Sequence, residues 1–188
     1  MDGSEIISRV VAFAKAAHGS QTRKYSADPY IVHPVRVMET CRLYTGRMAL
    51  LAAAVIHDVI EDTDCTADDI SVFLGSLMDD TVKNETLGLV IELTDVYVKK
   101  DYPALNRYKR KKKELRRLSR ISPDAQTIKY ADVLDNAAEI PHSDPVFAGR
   151  YLKECLDIIQ ALQDGHPELR QKARDAVTAG LGMIRHDP

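Results

Sequence analysis

The sequence predicts an all-α chain folded as a single helical bundle over residues 1–188. Three observations predict it. Apolar residues recur at helical spacing through most of the chain, as Ile6, Val10, Phe13 and Ala17 do near its start, and such spacing turns one helix face inward. No segment sustains an alternating apolar–polar pattern between hairpin signals, so strands are not expected as a framework. No internal repeat, low-complexity tract or Pro/Gly/Ser linker divides the 188 residues, a length that buries one substantial core.

Taken in order, the first helix starts at Ser4-Glu5 and ends at His18-Gly19. Residues 20–30 are polar and turn-rich, hence a loop. His33-Pro34 opens a second helix with proline at the first helical position; Val35, Met38 and Cys41 form its inner face, and Thr45-Gly46 stops it. The central helix follows from Arg47. Thr66, with Asp69 three residues on, makes a capping-box start for a short helix ending near Gly75, and a fifth helix spans about residues 79–93.

Residues 99–120 hold eleven Lys or Arg against only Asp101 and Glu114. With Leu105, Tyr108, Leu115 and Leu118 as a sparse apolar stripe, they read as a helix with a basic outer face. Ser122-Pro123-Asp124 restarts the chain into a seventh helix, marked by Ile128, Ala131 and Leu134 and closed by Pro141. Residues 146–162 and about 168–184 make two final helices, separated by Asp164-Gly165-His166-Pro167.

Composition excludes several classes. The net charge of −2 creates no global field that demands nucleic acid or membrane as a partner. Cys41, Cys65 and Cys155 show no CxxC or regular spacing, so neither a disulfide framework nor a thiolate metal site is indicated, and the cytoplasm is the expected compartment. The N-terminus lacks the basic and apolar regions of a signal peptide, and no apolar run is long enough to span a bilayer.

The chemistry concentrates at the end of the central helix. The apolar residues 48–56 run into His57, Asp58, Glu61 and Asp62 without a basic neighbour. Carboxylates drawn into a core lose several kcal/mol of hydration each, roughly, and need a compensating cation. A divalent metal serves, with His57 and Asp58 gripping it while Glu61 and Asp62, one turn on, face whatever the ion binds. The alternative is a helix end whose acids face water, with His57 a core histidine. His33 and Asp132 are the further metal-type side chains near helix ends, giving a mixed N/O set that suits Mn²⁺.

Four ordered strings carry a family resemblance: Arg23-Lys24, Tyr30-Ile31-Val32-His33-Pro34, His57-Asp58-Val59-Ile60-Glu61-Asp62-Thr63 and Lys129-Tyr130-Ala131-Asp132-Val133-Leu134-Asp135-Asn136. In this order and spacing the chain, over roughly residues 4–165, resembles the HD-domain alarmone hydrolases, with signatures RKxxxxPYIxHP, HDxxEDT and KxADxxxN. It is similar to their small stand-alone members, with no room for a synthetase. The resemblance implies a single HD-type domain over residues 1–188 that holds one Mn²⁺ through His33, His57, Asp58 and Asp132. It also implies an enzyme that removes the 3′-pyrophosphate of guanosine tetra- or pentaphosphate, giving GDP or GTP. Glu61 and Asp62 are then the groups that orient a water or take its proton.

Arg23 and Lys24 match the pair that packs against the purine, a role a planar guanidinium suits. Asn136 matches a ribose or phosphate contact, and Tyr151 aligns loosely with a substrate-touching tyrosine. One or two cations of residues 99–120 are expected to meet the polyphosphate.

The chain also departs from the pattern. Val133 replaces a usual basic residue, and Ala137-Ala138-Glu139 replaces the usual Arg or Thr past the asparagine. Alternative substrates are therefore an adenosine alarmone or the 2′-phosphate of NADPH. RNA binding through residues 99–120 is a reading from another class, which the two tyrosines there, Tyr102 and Tyr108, support weakly as a stacking platform. The expected partner is a small nucleotide, with no specific nucleic acid and no membrane.

Overall fold

Every side chain from Ala49 to Ile56 is buried, so MALLAAAVI forms a helix, α3 (Met48–Ile56), that is packed all round. A computed structural model of the protein describes residues 2–24 and 26–185, with the side chains of Pro141, His142, Pro145 and Arg185 left aside. Within them the chain is all-α, its one bridge of β type being the isolated pair Thr22–Pro29. It divides into two compact units, Met1–Thr94 and Asp95–Pro188.

In the first unit α1 (Gly3–His18), α2 (Val32–Arg42) and α6 (Asp80–Leu93) pack on α3; α5 (Ala67–Gly75) packs on α6, and the single turn α4 (Val59–Asp62) packs on α1. Local chemistry sets the ends. Asp2, not Ser4, caps α1: its Oδ1 accepts the Glu5 N–H at 2.8 Å. Gly19 closes α1 at φ 55°, where a side chain would be strained. The α2 helix begins at Val32, which puts Pro34 third rather than first; the lack of an N–H there is harmless, because first-turn amides have no helical partner anyway. The expected capping box of α5 is present, with Thr66 accepting from the Asp69 N–H and the Asp69 carboxylate accepting from the Thr66 N–H.

The second unit holds α7 (Arg107–Leu118), α8 (Pro123–Ser143), α9 (Pro145–Ala161) and α10 (Pro167–Arg185). Helices α8, α9 and α10 pack on one another, and α7 packs on α9. The basic helix is shorter than the charge run, because Asn106 starts it by accepting the Lys109 N–H at 2.9 Å and Pro103 lies in the turn before it. The α8 helix continues two residues past Pro141. Polar side chains on its first turns then clasp the α9–α10 turn. Gln126 Oε1 accepts the Asp164 and Gly165 N–H groups at 2.8 and 3.2 Å, Thr127 Oγ1 accepts that of His166 at 3.0 Å, and the Tyr130 hydroxyl donates to the Leu162 carbonyl at 2.8 Å. This fixes the register of the helix that carries Asp132. No helix among the described residues is long and apolar enough to cross a membrane.

Candidate metal centre and active site

The HD pair sits where α3 stops. Asp58 has φ −94° and ψ −7°, a bridge-region backbone that kinks the chain between α3 and α4. The turn nevertheless persists across the kink, since the Asp62 N–H donates to the Asp58 carbonyl at 2.9 Å. Asp62 therefore lies one turn beyond Asp58, as the sequence spacing predicts.

The His33, His57 and Asp58 side chains offer ligand atoms that all lie within 4.8 Å of one another. Both imidazoles are buried, and Asp58 is only partly exposed. The His57 Nδ1–H donates to the Ala54 carbonyl at 2.9 Å, which leaves the Nε2 lone pair as the donor atom. That Nε2 lies 3.1 Å from Asp58 Oδ1, while His33 Nε2 lies 3.6 Å from Asp58 Oδ2. A ring nitrogen facing a carboxylate oxygen at these distances needs a proton or a cation between them. A divalent ion about 2.1 Å from each donor separates donors by about 3–4 Å, so the set fits one.

Tyr30 joins this cluster to Asp62. Its hydroxyl donates to Asp58 Oδ2 at 2.7 Å and lies 2.8 Å from Asp62 Oδ2. A phenol has one proton, so both short contacts are satisfied together when a carboxyl supplies the second. Burial, followed by the charge of Asp58, raises the Asp62 carboxyl above its ordinary value despite the opposing Tyr30 hydrogen bond. Burial, then the charges of Asp58 and Asp62, likewise raises the Tyr30 phenol. Glu61 is exposed on the same turn.

The remaining expected residues are placed as follows. Arg23, half-buried, puts its guanidinium 5.8 Å from the Tyr30 ring centroid, and Lys24 is exposed. In the second unit Asp132 is buried, and both its oxygens accept: Oδ1 from Asn136 Nδ2 at 2.7 Å and Oδ2 from Lys129 Nζ at 2.8 Å. Asn136 thus orients Asp132, a bond the sequence reading did not anticipate. Tyr151, half-buried on α9, stacks on Phe147 with centroids 5.8 Å apart. Val133 and Ala137, two of the departures from the family pattern, are buried, while Ala138 is exposed and Glu139 half-buried.

Sequence reasoning missed three groups. Tyr30 enters the sequence pattern only as part of a string, although a tyrosine three residues before a candidate ligand is signal enough to ask what its hydroxyl meets. His18 and Gln21 gave no signal, because their partners lie on α4 and on the loop ending at Tyr30. Glu114 looked like a stray acid in a basic run. In fact it is buried, with Oε2 accepting the Val96 and Tyr97 N–H groups at 3.1 and 3.0 Å and Oε1 meeting Arg117.

Comparison with known proteins bears on this geometry. A family model described as HD domain matches residues 10–164. The chain is 29% identical over 167 residues to the guanosine-3′,5′-bis(diphosphate) 3′-pyrophosphohydrolase MESH1 of Mus musculus, covering 85% of this chain and 86% of that one. It is 31% identical over 139 residues to the Drosophila melanogaster MESH1, covering 71% and 68%. Among solved structures it is similar to a metazoan ortholog of SpoT that hydrolyzes ppGpp, with TM-score 0.77 and 25% identity over 94% of this chain and 96% of that one. A Listeria monocytogenes structure, at TM-score 0.63 and 21% identity, shares the fold. With the His33–His57–Asp58 cluster in place at the end of α3 and the family model spanning most of its length, the chain belongs to the HD domain family.

Proposed function

We propose that this protein is a metal-dependent hydrolase that removes the 3′-pyrophosphate of guanosine tetra- or pentaphosphate. The observation that carries the reading is the three-donor cluster of His33, His57 and Asp58 with Asp62 one turn on, in a chain that resembles MESH1 over most of both lengths. The two units work as one HD-type domain in this reading, since the family match runs through both.

His33, His57 and Asp58 would hold the ion. The KxADxxxN motif supports Asp132 as the fourth ligand, with Asn136 and Lys129 orienting its carboxylate. Mn²⁺ suits a donor set of two imidazoles and two carboxylates. When bound, such an ion supplies Lewis-acid polarisation of a phosphoryl oxygen and an acidified water.

The chain's own groups supply the rest. Asp62 carries a carboxyl with a raised proton affinity and hands a proton on or takes one; exposed Glu61 beside it orients the water. Arg23 and Lys24 face the base and Tyr151 the nucleotide. Two of the three free cysteines are buried, in keeping with the cytoplasm as the working compartment.

The test is pyrophosphate and phosphate release by purified protein with Mn²⁺, run against guanosine and adenosine alarmones and NADPH. Turnover of the guanosine alarmone ahead of the others is expected. Turnover of NADPH or an adenosine alarmone alone would keep the metal centre but replace the substrate, and no release from any would remove the hydrolase reading.

A further inference from the structure

Three side chains outside the candidate ligand set interlock beside it: buried His18, exposed Gln21 and half-buried Tyr30. His18, the last residue of α1, is buried; its Nδ1 lies 2.9 Å from Gln21 Oε1. An amide oxygen only accepts, so His18 carries the proton on Nδ1 and turns the Gln21 amide. The Gln21 NH₂ then donates to the Asp62 backbone carbonyl at 2.7 Å. His18 Nε2, on the other side of the ring, is buried without a hydrogen-bond partner among the described residues.

The same imidazole stacks on the Tyr30 ring, with centroids 4.4 Å apart and planes at 29°. Backbone bonds close the loop between them: the Gln21 N–H donates to the His18 carbonyl at 3.0 Å, and the Tyr30 N–H to the Gln21 carbonyl at 2.9 Å. Tyr30 reaches both Asp58 and Asp62. Two carboxyl groups one turn apart meet at this one hydroxyl, which donates to Asp58 and is in hydrogen-bond contact with Asp62, and so bridges them. Asp62 is thus gripped twice, at its carbonyl by Gln21 and at its carboxyl by Tyr30.

We infer that His18, Gln21 and Tyr30 are a positioning clamp that sets the Asp62 carboxyl against the metal-binding Asp58. None of the three belongs to the ligand set or to the acid–base pair. The two arms differ in what they touch. Tyr30 contacts the candidate metal ligand Asp58 as well as Asp62, whereas the Gln21 amide donates to Asp62 and to neither Asp58 nor the imidazoles of the cluster. Loss of the Tyr30 hydroxyl must therefore weaken metal binding, and loss of the Gln21 amide must act on turnover through Asp62.

The experiment has two parts. In the first, which is independent of substrate, Mn²⁺ affinity is measured by equilibrium dialysis for wild type, Tyr30→Phe and Gln21→Glu. Tyr30→Phe should bind Mn²⁺ about tenfold more weakly, the scale of losing an outer-shell partner, and Gln21→Glu should bind it as wild type does. The second part rests on the hydrolase reading. Gln21→Glu keeps the acceptor for His18 but cannot donate to the Asp62 carbonyl. It should lower kcat about tenfold with KM within about threefold, and the loss should vanish when measured in an Asp62→Asn background.

Gln21→Met is carried through the same cycle as a second variant, and thermal melts accompany each. Wild-type Mn²⁺ affinity in a folded Tyr30→Phe protein overturns the clamp at Asp58. An equal loss of kcat from Gln21→Glu with and without Asp62→Asn overturns it at Asp62. A wild type that turns over no alarmone overturns the hydrolase reading instead, and the dialysis result still decides the arm at Asp58.

Discussion

His57 illustrates how much one side chain here depends on its second atom. Its Nδ1–H is committed to the Ala54 carbonyl, so only Nε2 is presented to the ion, and Asp58 answers from the next residue. Replacing His57 by Gln should abolish stoichiometric Mn²⁺ uptake, read by elemental analysis after gel filtration; uptake at wild-type level would mean the ion sits elsewhere. Glu61→Gln and Asp62→Asn should instead retain the ion and lose turnover by about 10² or more, the scale of general acid–base groups. Undiminished turnover in both would take them out of the mechanism.

The thiols are another residue-scale matter. Burial pushes the Cys41 and Cys155 thiols up to about 12, whereas Cys65 is half-buried. Iodoacetamide at neutral pH should label Cys65 in the native protein and the other two only after unfolding; mass spectrometry of the digested adduct reads it. The sign of the pH effect follows. A thiol whose folded value is raised stabilises the fold fully below its unfolded value near about 8.5, and that contribution is lost as pH rises toward about 12. Melting temperature should accordingly fall on the alkaline side, and less steeply in Cys41→Ala once its lower starting value is allowed for.

At the scale of elements, two segments turn on contacts that no periodicity reveals. Gly165 sits in the α9–α10 turn, where an added Cβ would come within 2.6 Å of Tyr130 Cε2 and 2.9 Å of the Thr127 nitrogen. Gly165→Ala should destabilise the protein by about 2 kcal/mol, since overpacking a clasped turn displaces backbone. Denaturant midpoints at unchanged slope test it, and a shift under about 0.5 kcal/mol would mean that the turn yields freely.

The basic helix α7 sorts its cations by side. Arg107 pairs with Glu154, Lys111 with Asp95 and Arg117 with Glu114, and Arg110 donates to the Leu105 carbonyl; Lys109, Lys112, Lys113 and Arg116 are exposed along one face. Neutralising these four should change KM for an alarmone by less than about threefold, because exposed charges act through screened fields. Tight RNA binding that falls steeply with salt and flattens in the fourfold variant, without nucleotide turnover, would favour the nucleic-acid reading. Glu114 is the opposite case. Removing its carboxylate as Glu114→Ala takes a buried acceptor from half-buried Arg117 and two loop amides, with an expected loss of about 3 kcal/mol.

At the scale of the whole molecule, the all-α class, the order of the helices and the HD pair at the end of an apolar run were legible in the chain itself. Helical periodicity, capping residues and prolines are local, and their physics is complete within a few residues, as the Thr66–Asp69 capping box illustrates. The His57–Asp58 pair was legible as a candidate metal grip for the same reason: an imidazole and a carboxylate beside each other at the end of an apolar helix point to a cation. What tertiary structure alone decided is who holds those groups in place. The Tyr30 hydroxyl on Asp58 and Asp62, the Gln21 amide on the Asp62 carbonyl and the Gln126 side chain on the α9–α10 turn join residues 28 to 41 positions apart. No local pattern encodes such bonds. A polar side chain looks the same in sequence whether it meets water or a partner from a distant segment, and only packing of the helices brings that partner within reach: Gln126 meets the Gly165 N–H in the interior, and Gln21 meets the Asp62 carbonyl at the exposed edge of α4.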